Sequence, residues 1–288
     1  MKILITGGSG FIGSEVSKLL LKKKNVRLTV LDIKKPDFNH SKLKFIKGNI
    51  KNKKLIKKLL KSQDVVYHFA GIADIEEASQ NPLKTIENNI LPTVNIINEC
   101  ANYKIKRFIF ASTIYVYSSQ GGFYKCSKKS CELYLQEFSN KNNLNFSILR
   151  YGTIYGPSTN LKNNINRITS QAIKKNIVVY EGKKNTKRKI IHAKDAARAA
   201  VEVLKNKYIN KAIIITGNKN YLMRNIMQKI KSKLSIKKEI IFKNKYIYGH
   251  YINNPYSEKK IPVVTLKPKK QISIDRGIDE VIHFLSKK

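Results

Sequence analysis

Tyr124 and Lys128 stand four residues apart in the segment Tyr124-Lys125-Cys126-Ser127-Lys128, a spacing that on a helix puts both side chains on one face. An ammonium beside a phenol favours the phenolate, lowers the tyrosine pKa and turns it into a general acid/base. Ser112 and Thr113 end an apolar segment a few residues upstream. Their hydroxyls are suited to bonding the oxygen from which the tyrosine takes a proton. In so lysine-rich a chain Tyr and Lys also meet at this spacing by chance. The position of the pair, just after the strand that ends in Ser112 and Thr113, is what gives it meaning.

A second pattern lies at the N-terminus. Thr6-Gly7-Gly8-Ser9-Gly10-Phe11-Ile12-Gly13 follows the apolar residues Ile3, Leu4 and Ile5 and opens an amphipathic stretch. A chain that leaves a strand, turns sharply, passes its backbone close to a pyrophosphate and packs a helix on the sheet favours residues without Cβ at each step. The helix start adds free N–H groups and a positive dipole end. About 20 residues further on, Asp32 ends a second apolar strand, where a carboxylate accepts the hydroxyls of an adenosine ribose. The acid argues for NAD, while Lys34 and Lys35 leave NADP open.

These groups need a scaffold, and the hydrophobic pattern supplies one. Short apolar runs at 2–6, 26–32, 43–47, 65–69, 107–112, 146–150 and 212–216 alternate with amphipathic stretches such as 52–61 and 92–103. That is the pattern of an α/β fold, a doubly wound parallel sheet of the Rossmann type covered on both faces. Ligands in such sheets sit beyond the carboxyl ends of the strands, which directs attention to 48–50, 68–71, 112–113 and 151–157. The expected division is a dinucleotide-binding domain over 1–155, rejoined by 183–217, and a smaller C-terminal lobe from 156–182 and 218–288. In that lobe Tyr246, Tyr248, Tyr251 and Tyr256 stand among basic residues and read as lobe core or as a stacking surface for a base or sugar.

The 288 residues carry a net charge of +38, which raises nucleic acid or an anionic surface as a partner. The charge is nearly all lysine, spread along the chain with abundant Asn and Ile. That texture fits a compositional bias of the genome better than a phosphate-reading surface, which recruits arginine. The three cysteines, Cys100, Cys126 and Cys131, suit reduced thiols in a cytoplasm. No apolar run reaches the ~20 residues of a membrane span, the glycine loop begins too early to leave room for a signal peptide, and no metal site is read from the sequence.

Taken together, the motifs resemble the extended short-chain dehydrogenase/reductase family, and within it the UDP-glucose 4-epimerase type of nucleotide-sugar enzyme. The resemblance rests on Thr6 to Gly13, Asp32, Gly48-Asn49-Ile50, His68-Phe69-Ala70-Gly71, Asn88-Asn89-Ile90, Ala111-Ser112-Thr113 with Val116-Tyr117, Tyr124 and Lys128, Arg150-Tyr151, Tyr155-Gly156-Pro157, and Arg188 before Ile191-His192-Ala193-Lys194-Asp195. It implies that Gly7, Gly10, Phe11, Ile12 and Gly13 hold the pyrophosphate of NAD, Asp32 the ribose, and Asn49 with Ile50 the adenine edge. Ala70, Gly71 and Asn89 would line the nicotinamide side, with Tyr151 flanking the cofactor. Lys128 would bond the nicotinamide ribose, Tyr124 would be the acid/base and Thr113 would orient the reacting hydroxyl. Arg188 would pair with a substrate diphosphate, and a homodimer through 92–103 and 128–141 is expected.

Three departures bear on the substrate. Thr153 stands where relatives carry an asparagine that contacts the sugar nucleotide. The 117–124 loop is much shorter than is usual. Ile114 and Tyr115 follow Thr113 where 4,6-dehydratases carry an Asp-Glu pair, which argues against that reaction. The expectation is therefore an NAD-dependent nucleotide-sugar epimerase. A reductase of a keto-sugar or another carbonyl is the alternative, and a nucleic-acid-binding or cofactor-sensing non-enzyme is the reading from a different class.

Overall fold

A computed structural model of the chain describes residues 1–158, 164–245, 264–266, 268 and 270–287; the four tyrosines of 246–256 lie outside them. Eight parallel strands form the main sheet: β1 (Lys2–Thr6), β2 (Arg27–Asp32), β3 (Leu43–Lys47), β4 (Val65–His68), β5 (Arg107–Thr113), β6 (Phe146–Tyr151), β10 (Lys211–Ile215) and β13 (Val264–Leu266). Their order is β13-β10-β6-β5-β4-β1-β2-β3. The strand order therefore reverses between β1 and β4, and the crevice beyond their carboxyl ends is where such sheets bind ligands. All seven strands expected from the sequence are present, with ends that shift by a residue. They read as continuous apolar runs because helices bury both faces.

One face is covered by α1 (Phe11–Leu21) and α8 (Ala193–Glu202). Val16, Leu20 and Leu21 of the first meet Ala196, Ala197, Ala199 and Ala200 of the second over Ile3, Ile5 and Val30, and the alanines permit close approach of the backbones. The other face carries α2 (Lys53–Leu60), α5 (Leu91–Asn102) and α6 (Gly122–Asn142), whose Ile56, Leu60, Ile96, Ile97, Cys131 and Leu135 enclose Leu4, Val66, Phe108 and Phe110. Two short helices, α3 (Ile75–Gln80) and α4 (Pro82–Thr85), and a π-turn at Ile86–Ile90 lead from β4 into α5.

A second core lies C-terminal to this sheet. Strands β7 (Thr153–Tyr155), β9 (Lys187–His192) and β11 (Asn220–Leu222) form a three-stranded sheet, and β8 (Val179–Tyr180) pairs with β12 (Ile241–Phe242). Helices α7 (Asn164–Lys175), α9 (Met223–Lys233) and α10 (Ile274–Ser286) bury Ile168, Ile226, Ile230 and Ile278 against Tyr155, Tyr180 and Ile190. The expected boundaries differ at two places. β9, placed by sequence with the first domain, pairs with β7 and β11, and β13, placed in the lobe, is an edge strand of the main sheet. Pairing is a long-range property, and a three-residue strand carries no local signal of its sheet.

α10 docks through Gly277, where a Cβ would fall inside the ring and hydroxyl of the buried Tyr155. Gly277→Ala should therefore lose about 1–3 kcal/mol of stability, read as a lower urea midpoint; an unchanged midpoint would show that this contact relaxes freely.

Candidate functional site

α6 starts where it does because Gly121 takes a left-handed conformation, φ 100°, at a point where a Cβ would press on Tyr115 and Lys125. The ammonium of Lys125 then closes the preceding turn by donating to the carbonyls of Ser118 (3.3 Å) and Ser119 (3.2 Å). The first turn of α6 thereby brings Tyr124 to the end of β5, where the Thr113 hydroxyl acts to lower its pKa. Thr113 Oγ1 also accepts from the Tyr115 amide at 3.3 Å, which fixes its rotamer.

The electrostatics differ from the expectation that Lys128 lowers the Tyr124 pKa. Burial pushes the phenol up to about 12, with the bond to Thr113 acting in the opposite direction. The reason is geometric: the Lys128 ammonium sits over the ring of Phe110, 5.0 Å from its centroid, and 6.0 Å from the centroid of Tyr124. Lys128 is only 6% exposed. Burial holds its pKa below the usual lysine value, while Cys131 and Glu132 act to raise it. No hydrogen bond of its ammonium is found among the described residues, so its N–H donors are available to a ligand.

Ser112 is not where the sequence put it. Adjacent residues on a strand face opposite ways, and Ser112 Oγ donates to Glu132 Oε1 at 2.5 Å on the side of the sheet covered by α6. Glu132 also accepts from Arg150 Nε (3.0 Å) and Nη2 (2.6 Å), and Arg150 Nη1 donates to the Tyr117 hydroxyl. The Ser112 hydroxyl is committed to this cluster. Glu132 itself escaped the sequence reading, although Tyr124, Lys128 and Glu132 at four-residue spacing form one helical stripe, and an acid on that stripe is the available signal.

The glycine loop makes a hollow of main chain. Gly7 has φ 73°, and a Cβ on it would lie 2.6 Å from the Ala70 amide; one on Gly13 would overlap the Gly7 carbonyl, so β1, α1 and the β4 loop touch through backbone. A Cβ on Gly10 would instead meet nothing but the Gly7 carbonyl, at 3.2 Å. That opening lies at the start of α1, before Phe11 and Ile12, where no side chain caps the helix. At the end of β2, Asp32 accepts from the Ser9 amide (3.0 Å) and the Lys34 amide (3.1 Å), which leaves lone pairs on both oxygens of a half-buried carboxylate. Asn49 is exposed, with Oδ1 accepting from Lys51 N at 2.9 Å, and Ile50 beside it is half-buried.

Ala70 and Gly71, φ 139°, form the loop beyond β4. Asn89 stands behind it, 2% exposed: its Oδ1 accepts from Ile72 N (2.7 Å), and its Nδ2 donates to Ile72 O (2.9 Å) and Ser127 Oγ (3.1 Å). Its amide thus holds the loop to α6. Tyr151, beside Thr113 in register, has a buried hydroxyl without a hydrogen-bond partner. Thr153 and Arg188 belong to β7 and β9 of the small sheet. The open glycine hollow, the half-used carboxylate of Asp32 and the unpartnered ammonium of Lys128 are what a dinucleotide requires at its pyrophosphate, adenosine ribose and far end.

Comparisons with known proteins point to one family. The model of the family described as NAD dependent epimerase/dehydratase matches residues 3–216. The chain is 34% identical over 253 residues to the bifunctional polymyxin resistance protein ArnA of Wigglesworthia glossinidia brevipalpis, a match that covers 75% of this chain and 38% of that protein. The chain therefore spans well under half the length of that relative. It is 25% identical over 308 residues to the putative UDP-glucose 4-epimerase of Methanocaldococcus jannaschii, with 98% of both covered. The crystal structure of the UDP-glucuronic acid 4-epimerase of Bacillus cereus with UDP-glucuronic acid and NAD superposes with a TM-score of 0.87 at 24% identity, covering 100% of this chain and 99% of that one, which shows a shared fold.

Beneath the site, His68 is buried between two hydroxyls, Thr6 Oγ1 at 2.6 Å from Nδ1 and Thr93 Oγ1 at 2.8 Å from Nε2. Because Thr93 donates to the Asn89 carbonyl, its oxygen accepts from Nε2–H, and Thr6 donates to Nδ1. Burial and the nearby Lys128 charge pull the imidazole pKa down to about 3. Such a histidine stays neutral in the folded chain while the unfolded chain binds a proton below about pH 6.5, so stability falls as pH drops from there towards 3. Between pH 6.5 and 5 the loss attributable to His68 should be about 1 kcal/mol per pH unit. Urea midpoints of the wild type should decline more steeply across that interval than those of His68→Gln; parallel slopes would disprove the assignment.

Proposed function

The chain belongs to the NAD dependent epimerase/dehydratase family, whose cofactor is NAD, and from that premise we propose that it is a nucleotide-sugar epimerase in which Tyr124 is the acid/base. The observation that carries the reading is that Tyr124, beside Thr113 at the carboxyl end of β5, shares one α6 face with the buried ammonium of Lys128, 6.0 Å from the centre of its ring. In this reading Gly7, Gly10, Phe11, Ile12 and Gly13 cradle the pyrophosphate, and Asp32 takes the adenosine ribose. Asn49 and Ile50 border the adenine, while Ala70, Gly71 and Tyr151 border the nicotinamide, with Asn89 bracing that loop. Lys128 donates to the other ribose.

NAD bound there supplies a reversible hydride acceptor. The protein supplies position and the proton. Thr113 bonds the reacting sugar hydroxyl, Tyr124 takes its proton as the carbon becomes a ketone, and the same tyrosine returns the proton when the alcohol re-forms with the opposite configuration. Substrate phosphates are held by Arg188, whose fork suits a diphosphate, in a lobe formed by the second core, with Thr153 on the adjoining strand. A high Tyr124 pKa in the free protein fits a group that is protonated at rest and becomes a base only beside the positive charge of the ammonium and a bound cofactor.

A homodimer is proposed as well. Leu91 on α5 is 60% exposed, and Leu133 and Tyr134 on α6 are 51% and 50% exposed, apolar surface on the two helices expected from sequence to pair. Among the described residues no helix is long and apolar enough to cross a membrane.

Three outcomes are expected. Purified protein incubated with NAD and a panel of nucleotide sugars should interconvert a pair of epimers with no net change in absorbance of the reduced nicotinamide; stoichiometric consumption of NADH or NADPH by the keto forms would make it a reductase instead. Tyr124→Phe should cut turnover by at least about 100-fold, with NAD affinity within a few-fold of wild type, and full activity in that variant would remove Tyr124 from the mechanism. Light scattering should give twice the chain mass for the wild type and the single chain mass for Leu133→Glu.

A further inference from the structure

The cluster behind the site is the least expected feature of the chain. Glu132 is 1% exposed and its carboxylate is shared by two strands: Oε1 takes Ser112 Oγ (2.5 Å) of β5 and Arg150 Nε (3.0 Å) of β6, and Oε2 takes Arg150 Nη2 (2.6 Å). Ser112 and Arg150 are direct neighbours across the β5–β6 pairing. Arg150 extends the chain to a fourth element, the single turn of 3₁₀ helix at Ile114–Tyr117, where its Nη1 donates to the Tyr117 hydroxyl and its guanidinium lies 4.7 Å from the centre of that ring. The Glu132–Arg150 pair thus ties together the strand that ends in Thr113, the turn that follows it, the neighbouring strand and the helix that carries Tyr124 and Lys128.

A buried ion pair gains little net stability, because desolvation offsets the attraction, so stability alone does not account for this one. Its place does. Tyr124, Lys128 and Glu132 are successive residues of one α6 stripe, and Glu132 is the member of the stripe bonded to the sheet. We propose that the Glu132–Arg150 pair is the positioning element of the site: it sets the rotation of α6 against β5 so that Tyr124 stands beside Thr113, and it supplies the negative charge that offsets the ammonium of Lys128 in the interior. This rests on the assignment of Tyr124 and Lys128 made above. Of the other groups around Lys128, His68 of β4 is neutral and Tyr124 of α6 is held protonated by burial, while Cys131 acts on Lys128 in the same direction as Glu132 but has its own thiol pushed up to about 11 by burial. The effect of Glu132 on Lys128 is in the direction required, acting to raise its pKa against burial.

Two substitutions separate the parts. Glu132→Gln keeps the shape and removes the charge; Glu132→Asp keeps the charge and shortens the reach. NAD affinity is measured by calorimetry from pH 6 to 10, and turnover on the nucleotide sugar found active in the panel, with thermal unfolding as a check on folding and Tyr124→Phe in parallel. In Glu132→Gln the alkaline loss of NAD affinity should set in at least one pH unit below that of wild type, because Lys128 gives up its proton earlier. In Glu132→Asp that profile should stay, while kcat falls at least tenfold with KM within about threefold. An unchanged profile in Glu132→Gln, or wild-type kcat in Glu132→Asp, overturns the proposal. Should Glu132→Gln fail to fold, Glu132→Asp decides. Full turnover in Tyr124→Phe would instead sink the acid/base assignment, and the pH profile of NAD binding would still report on Glu132 and Lys128.

Discussion

A lysine ammonium held inside the protein is the constraint on which the rest of the site depends. Removing a cation from water is costly unless other groups replace its hydration. Around Lys128 the replacements are a π-face, Phe110, and an anion one helical turn away, Glu132, itself pinned by Arg150. Two consequences follow. His68 has to be neutral, which its two hydroxyl partners provide by accepting from one ring nitrogen and donating to the other. The phenol of Tyr124, lacking close contact with the ammonium, keeps its proton at rest. The site is therefore arranged around charge that is only partly compensated, which suits an anionic, hydroxyl-rich ligand.

The main chain contributes as much as the side chains. At the reversal of strand order, backbone from β1, α1 and the β4 loop comes into contact because Gly7 and Gly13 lack Cβ atoms. This packing leaves the start of α1 without a side-chain cap, so amide donors and a positive dipole end face the crevice. Asn89 repeats the principle with a side chain: its amide satisfies both main-chain groups of Ile72 and so fixes a loop whose Gly71 takes a conformation closed to most residues.

Much of this was legible in the sequence, and what was missed has a common cause. Strands such as β1 and β3 were readable to the residue because apolar runs bounded by turn residues are local signals. The glycine loop, Asp32 and the Tyr124–Lys128 spacing are local too, and in the structure Asp32 is bonded to the loop through the Ser9 amide. Ser112 was misassigned because hydroxyl chemistry was read from residue type without the alternation that sends neighbours on a strand to opposite faces. The Tyr124 pKa was misjudged because four-residue spacing brings two side chains to one face without fixing how near their polar ends lie. Glu132 and Arg150, eighteen residues apart, pair through a helix and a strand, and no window of sequence shows that contact. The sheet membership of β9 and β13 is hidden for the same reason.

The short segment between the 3₁₀ turn and α6 shows how the chain's own residues shape what the shared fold leaves open. With few residues available, the connection is made by a left-handed Gly121 and by Lys125, whose ammonium satisfies two carbonyls of the turn. The turn is thereby anchored to the first turn of α6 itself, next to Tyr124, and on its other side to Arg150 through Tyr117. A long loop would have to be ordered by substrate at an entropic cost. Here the wall beside the acid/base candidate is held by two cations of the protein, Lys125 and Arg150, so its geometry is set before any ligand arrives.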